Sequence, residues 1–311
     1  MSIGAGPQPS NFPYGFSNGA IVRGVPIQPA TPGQVFWVYN GTNLAPQGAA
    51  GSDGNRGSFD RPYATINFAV SQCVSGRGDV VYVKPGHAET ITAAAGISIA
   101  NAGVAVVGLG SGKQRPVISF STSTSASLKV TGAGCTLQNL YFDCTGIDAL
   151  TTPLDIEAAD CQILGCSFLT GNASGQATNV VVTTAAADRL MIDNCIFTGT
   201  TDAGTATPIK IVGGDSIVIT NNFIQGNYTT TLGGIQNVTT ACTNALIVGN
   251  FINNRTASST VAMTFVSTST GQIANNRMQI LSGTAPIVGA AMSWVGGNYY
   301  GATIAQLGVL I

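Results

Sequence analysis

Ile219-Thr-Asn-Asn-Phe-Ile224 and Ile273-Ala-Asn-Asn-Arg-Met278 are two copies of one six-residue pattern. Each runs apolar, any, small or Asn, turn residue, any, apolar. Two inward side chains on either side of a short bend specify two consecutive short strands. Outward from these copies, the same pattern recurs at 137–142, 163–168, 192–197 and 247–252, with a degenerate copy at 294–299. Its third position falls at 139, 165, 194, 221, 249, 275 and 296, a repeat of about 27 residues. A further strand precedes each copy, and most show apolar alternation, as at Leu128/Val130, Leu154/Ile156, Val180/Val182, Ile209/Ile211 and Met263/Phe265.

A period of this length belongs to a leucine-rich repeat or a parallel β-helix. The leucine spacing and the helical half of the former are both missing. The repeat is instead rich in β-branched residues, Asn, Gly, Ser and Thr with period-2 alternation, so the chain is expected to be all-β. Coils of three short strands then stack at about 4.8 Å. Leu137, Ile163, Ile192, Ile219, Ile247 and Ile273 form one expected interior column, and Phe142, Phe168, Phe197, Ile224, Ile252 and Met278 another. Leu140, Cys166, Cys195, Asn222, Asn250 and Asn276 are expected to stack at the bend, with Asn in the left-handed conformation.

Stacking also accounts for composition. Only 8% of the 311 residues are charged, against a usual share of about a quarter. Like charges on adjacent strands repel, whereas Thr, Ser and Asn stack without that cost. Lys129 and Asp155 are expected side by side on consecutive coils, with Lys210 in the same column. A net charge of -1, from 12 basic and 13 acidic residues, argues against a nucleic-acid partner, which needs a basic face. There is no charge run for anionic lipid and no apolar run long enough for a membrane span. The start, Met1-Ser-Ile-Gly-Ala-Gly-Pro, lacks signal-peptide character, so synthesis in a cytoplasm is expected. Seven cysteines without zinc-ribbon spacing, and one histidine, His87, predict buried reduced thiols and no zinc.

Four regions are expected. Residues 1–50 read as an extended arm, with Gln34-Val-Phe-Trp-Val-Tyr39 its one strand and Phe12, Tyr14, Phe16, Ile21, Val22 and Val25 its contact residues for a capsid or partner chain. Residues 51–103 read as a cap, a helix N-capped by Asp60 followed by the strand Asp79-Val-Val-Tyr-Val-Lys84. Residues 104–300 are the parallel β-helix, and 301–311 a C-terminal cover or oligomer contact.

The Ile-x-Asn-Asn-x-Ile/Met copies, together with the cap segment 51–66 and Gly78-Asp-Val-Val-Tyr-Val-Lys-Pro-Gly86, resemble the right-handed parallel β-helix proteins of the pectate-lyase-like superfamily. That resemblance covers roughly 51–300 and implies fold, because the fold carries lyases, hydrolases, receptor-binding spikes and inert structural proteins. The opening Asn11-Phe-Pro-Tyr-Gly-Phe-Ser-Asn-Gly-Ala-Ile-Val-Arg-Gly-Val-Pro26, with Pro32-Gly-Gln-Val-Phe-Trp-Val38 and Ala102-Gly-Val-Ala-Val-Val-Gly-Leu-Gly110, looks like a group of tailed-phage virion proteins. It implies a head-decoration (cement) protein on the capsid exterior, a homotrimer whose partner is the major capsid protein. The rival expectations are a tailspike-type polysaccharide depolymerase and a glycan-binding receptor spike using Tyr228, Tyr299 and Tyr300.

Catalytic candidates are few. Asp160, Asp188 and Asp215 close turns in consecutive coils and would fall near one column, within one chain or at an inter-subunit site. Asp residues in tight turns ordinarily bond their own backbone, and that is the expectation here. Asp155 and Glu157 point outward from one strand beside Lys129, which favours a charge ladder over a paired-acid site. His87 is expected as a solvated turn histidine, Asp53 as a turn aspartate rather than a calcium ligand, and Asp143 and Asp148 without partners. No Asp or Glu follows Asp215. The expectation is therefore a non-enzymatic chain with no catalytic, cofactor or metal residues and no cofactor.

Overall fold

The computed structural model describes residues 21–22, 25–26, 33–41, 50–200, 205–228, 233–257, 259–281, 286–289, 292–294, 297–301 and 309–310. Three sheets run along a parallel β-solenoid. The first has ten strands, from Val35–Val38 and Val80–Val83 through to Gly271–Ala274 and Met292–Trp294. The second runs from Ala88–Ile91 to Tyr299–Gly301 and is closed by Val309–Leu310, which pairs antiparallel through Leu310 to Tyr299. The third has eight strands, from Ile97–Ile99 to Ile287–Val288. The chain is thus all-β with coils of about 27 residues, and helix is confined to Ile66–Ser71 and one turn at Gly112–Gln114 among the described residues.

Both expected interior columns form. Leu137, Ile163, Ile192, Ile219, Ile247 and Ile273 pair in succession across the first sheet. Phe142, Phe168, Phe197, Ile224, Ile252 and Met278 do so across the second. The three phenyl rings stack at 4.8 and 4.5 Å with planes 8° and 4° apart, each pair adding about 0.5–1.5 kcal/mol beyond burial.

The bend between these sheets corrects the expectation, because two columns share its work. The left-handed residue is Asn139, Gly165, Asn194, Asn221, Gly249, Asn275 and Gly297 in turn. The next residue points inward, and there Asn222, Asn250, Asn276 and Asn298 form a buried amide ladder. Asn222 Oδ1 accepts the Cys195 N–H at 2.9 Å, and Asn222 Nδ2 donates to Ile192 O at 3.0 Å. In earlier coils a thiol replaces the amide: Cys195 Sγ donates to Ile163 O at 3.5 Å and Cys166 Sγ to Leu137 O at 3.7 Å. The degenerate last copy is one residue longer than read, so Tyr300, not Tyr299, pairs with Met278.

Two other registers shift. In Asn179–Thr183 the residues paired with Leu154 and Ile156 are Val181 and Thr183, not Val180 and Val182, so Val182 and not Val181 shares the outward column of Asp155. An unbroken Val run gives alternation no purchase. The helix is N-capped by Thr65, whose Oγ1 accepts the Phe68 N–H at 3.1 Å, and not by Asp60. Pro62 disfavours helical backbone at Arg61, so the helix starts later.

The strand Val35–Val38 pairs with Val80–Val83 and is the first strand of the first sheet. Upstream, Ile21–Val22 and Val25–Pro26 form a two-stranded antiparallel ladder. Phe12, Tyr14 and Phe16 lie outside the described residues; Ile21, Val22 and Val25 are placed by backbone pairing alone.

Candidate functional site

The outer face of the third sheet gathers the charged residues of the middle coils. Lys129 and Asp155 are register partners, and Asp155 pairs onward with Val182, itself opposite Lys210. Lys129 Nζ lies 3.7 Å from Asp155 Oδ2 but only 2.7 Å from Glu157 Oε1, so Glu157 is its nearer partner. Burial pushes the Asp155 carboxyl up and the Glu157 charge adds to this, while Lys129 opposes both. The hydrogen bond that Lys129 donates to Glu157 holds its ammonium above its ordinary value. A carboxyl whose pKa is raised, a second carboxyl and an ammonium held beside them are groups that can exchange a proton with a ligand on this face.

One turn on, the three aspartates do not form a single column. Asp188 and Asp215 follow each other, with Asp215 N–H donating to Asp188 Oδ1 at 2.7 Å. Asp160 sits one position later, in the left-handed column with Arg189 and Ser216, because its N–H donates to Asp188 O at 2.8 Å. A 29-residue step between 165 and 194 displaces it. Arg189 forks onto Asp160 at 2.6 and 2.9 Å, and Asp215 accepts from Thr243 and Asn244 of the next coil at 2.6 and 2.8 Å. These acids are committed to neighbouring side chains and backbone. Asp143 likewise accepts from Thr145 N and Oγ1, and Asp148 from Ala149 N.

The cap holds polar side chains that sequence placed in solvent. His87 is fully buried: Nδ1 accepts the Asn40 N–H at 3.2 Å, and Nε2 faces Glu89 Oε2 at 3.2 Å. It is not a solvated turn histidine, because residue 40 folds back onto it from 47 positions away. Asp53 reaches Ala64 N and Thr65 N at 2.8 and 3.0 Å instead of its own turn. Asp79 is buried and accepts from Arg77 Nε and Nη2 (2.6 Å each), Gln34 N and Val74 N (2.7 Å each). Burial opposes its ionisation, but Arg77 and the two backbone N–H groups outweigh burial and hold its pKa below the usual range.

A second depression lies along the bend and was not signalled by any motif. It is lined by Arg115, Gln138, Asn139, Asp193 and Asn194 among others. Arg115 Nη1 donates to Ser167 Oγ, while its buried Nε has no partner among the described residues. Only the coil register, which sets Arg115 beside residues 23 to 79 positions away, reveals it.

Of the expected glycan-contact aromatics, Tyr228 is buried, with its hydroxyl pushed well up by burial, whereas Tyr299 is exposed. All seven cysteines are buried and unbridged, and burial raises Cys73 to about 12 and Cys161 to about 11. Among the described residues no group of three or more His, Cys, Asp or Glu could hold a metal ion, and no helix is long and apolar enough to cross a membrane.

Fold and face together define an all-β parallel β-solenoid with one charged outer face. No family model and no curated protein matches the chain. Among solved structures it is similar to a rhamnogalacturonan lyase, at 14% sequence identity, covering 83% of this chain and 87% of that one, with a TM-score of 0.35. That protein is an enzyme, and this finding overturns the expectation of a chain without catalytic activity. Scarcity of carboxylates is not a ground for excluding an activity in this fold. The likeness is one of fold and assigns no reaction to the present chain.

Proposed function

We propose that the chain is a virion structural protein of a tailed phage, a decoration (cement) protein that assembles as a trimer on the capsid exterior with the major capsid protein as partner. The observation that carries this reading is the root of the N-terminal segment. Residues 33–41 are built into the first sheet by Val35–Val38 and fastened at Asp79 and His87. Whatever the preceding residues grip is therefore tied to a rigid body. Burial of Phe12, Tyr14, Phe16, Ile21, Val22 and Val25 against capsid protein would supply about 25 cal/mol per Å², less the cost of ordering the segment. The test is binding of the purified protein to phage heads that lack it. Phe12→Ser/Tyr14→Ser/Phe16→Ser in the full chain should abolish binding with the solenoid intact; undiminished binding would reject the role of the arm.

The Lys129, Asp155 and Glu157 cluster supports a second reading, in which the third sheet binds or cleaves a surface polysaccharide. Cleavage of host polysaccharide by the wild-type protein, lost in Asp155→Asn, would establish it; no cleavage and no binding would remove it.

A further inference from the structure

Exposed large apolar side chains among the described residues avoid the middle of the chain. After Val74 the next is Ile196, followed by Phe223, Leu246, Leu281, Val288 and Tyr299. Ile196, Phe223 and Leu246 of these belong to two regular stripes completed by the half-buried Met191, Val218 and Phe251. On the outer face of the first sheet Met191, Val218 and Leu246 pair in succession. On the outer face of the second sheet Ile196, Phe223 and Phe251 do the same. The two stripes occupy the same three coils and flank the amide-ladder bend. A patch of this kind marks an interaction surface.

The stripes do not suit a sugar. Phe223 and Phe251 stack on each other at 5.1 Å with planes 3° apart, so they show ring edges, and a pyranose needs a ring face. They suit a flat protein surface with no charge of its own. We infer that this surface is a second copy of the chain, and that the first-sheet stripe of one copy meets the second-sheet stripe of the next. In a ring of copies around an axis parallel to the solenoid, every contact is heterologous and joins two different patches at equal height. A molecule with a single foreign partner needs one stripe; two stripes of equal height on adjacent faces are what ring closure needs. All six residues of the two stripes are uncharged; Asp193, two positions after Met191 on the same face, is held by Thr220 and Asn221, and Arg277 continues the second stripe. The inference rests on the assembly named above and assigns its faces.

The test is the solution mass of the full chain, by sedimentation, against a monomer of 31.5 kDa. Wild type should sediment as an oligomer. Phe223→Glu and Val218→Arg, which lie in one coil and so at equal height, should each weaken association at least tenfold, with circular dichroism unchanged because both side chains point outward. The double variant should regain the wild-type mass, since each contact then sets Glu against Arg. A like-with-like contact would instead set Glu against Glu. A monomeric wild type, single variants that keep their mass, or a double variant that stays apart would overturn the inference. Head binding is scored separately. Oligomers that ignore phage heads would reject the capsid reading alone, and monomers that bind heads would reject these faces alone.

Discussion

Asn276 Oδ1 accepts two hydrogen bonds from Asn250, from its backbone N–H at 2.9 Å and from its side-chain Nδ2 at 3.0 Å. Asn250 Nδ2 also donates to Ile219 O at 2.9 Å, and its Oδ1 accepts from Asn222 N and Nδ2. Each amide therefore closes a bend and ties two coils. Asn250→Ala would strand several buried polar groups, each costing about 1–3 kcal/mol. A loss of at least about 3 kcal/mol is expected in denaturant unfolding. A loss under about 1 kcal/mol would show that water replaces the amide.

Where the ladder passes to thiols, it is weaker. An amide at 195 can donate to Ile163 O, where Cys195 Sγ now sits at 3.5 Å, and can accept from Cys166 N–H. Cys195→Asn should raise stability by about 1 kcal/mol, and Cys195→Ala should lower it by a similar amount. Equal losses in both would mean that apolar packing, not hydrogen bonding, decides this position.

Acid should loosen the arm root first. The folded pKa of Asp79 is depressed, so its contribution is complete above the unfolded carboxyl value of about 3.9 and is lost as pH falls through the folded value. Amide exchange at Gln34 and Val74, the two backbone donors to Asp79, should accelerate below about pH 4 while the amides of the central coils stay protected. Asp79→Asn should show the same exposure at pH 7 at a cost of about 3 kcal/mol, because Arg77 loses its partner. Unchanged exchange would separate the root from this carboxylate.

Asp155 has the opposite sign. Its folded pKa is raised, first by burial, so ionisation at neutral pH opposes folding, and stability climbs as pH falls through the folded value. Asp155→Asn should gain up to about 1 kcal/mol at pH 7 and nothing below about pH 4. A loss at pH 7 would mean that attraction to Lys129 outweighs burial.

The repeat made most of the fold legible, because a stacked coil repeats its inward residues at fixed positions. Both apolar columns and the Lys129 and Asp155 neighbours follow from spacing alone. Errors arose where spacing loses its marks. The Val180-Val-Val182 run has no alternation, and a long step moved Asp160 off the column of Asp188 and Asp215. At the bend, two adjacent Asn residues hid the division between a left-handed residue and an inward one. Long-range burial was invisible: nothing local to His87 announces Asn40, and Tyr228 lies inside although its neighbours are polar. The site was the least legible part, since Arg115 and Asp193 line one depression only through the stacking of coils. Few carboxylates in a sequence describe how a solenoid stacks and say little about whether it catalyses.

The proposed capsid-decoration role is tested most directly by the position of the protein on an intact phage particle, by cryo-electron microscopy of particles carrying a label on the C-terminal residue. Density on the head, in closed rings of copies with the 33–41 root turned toward the shell, is the predicted result. Label confined to the tail, or absent from the particle, would contradict it.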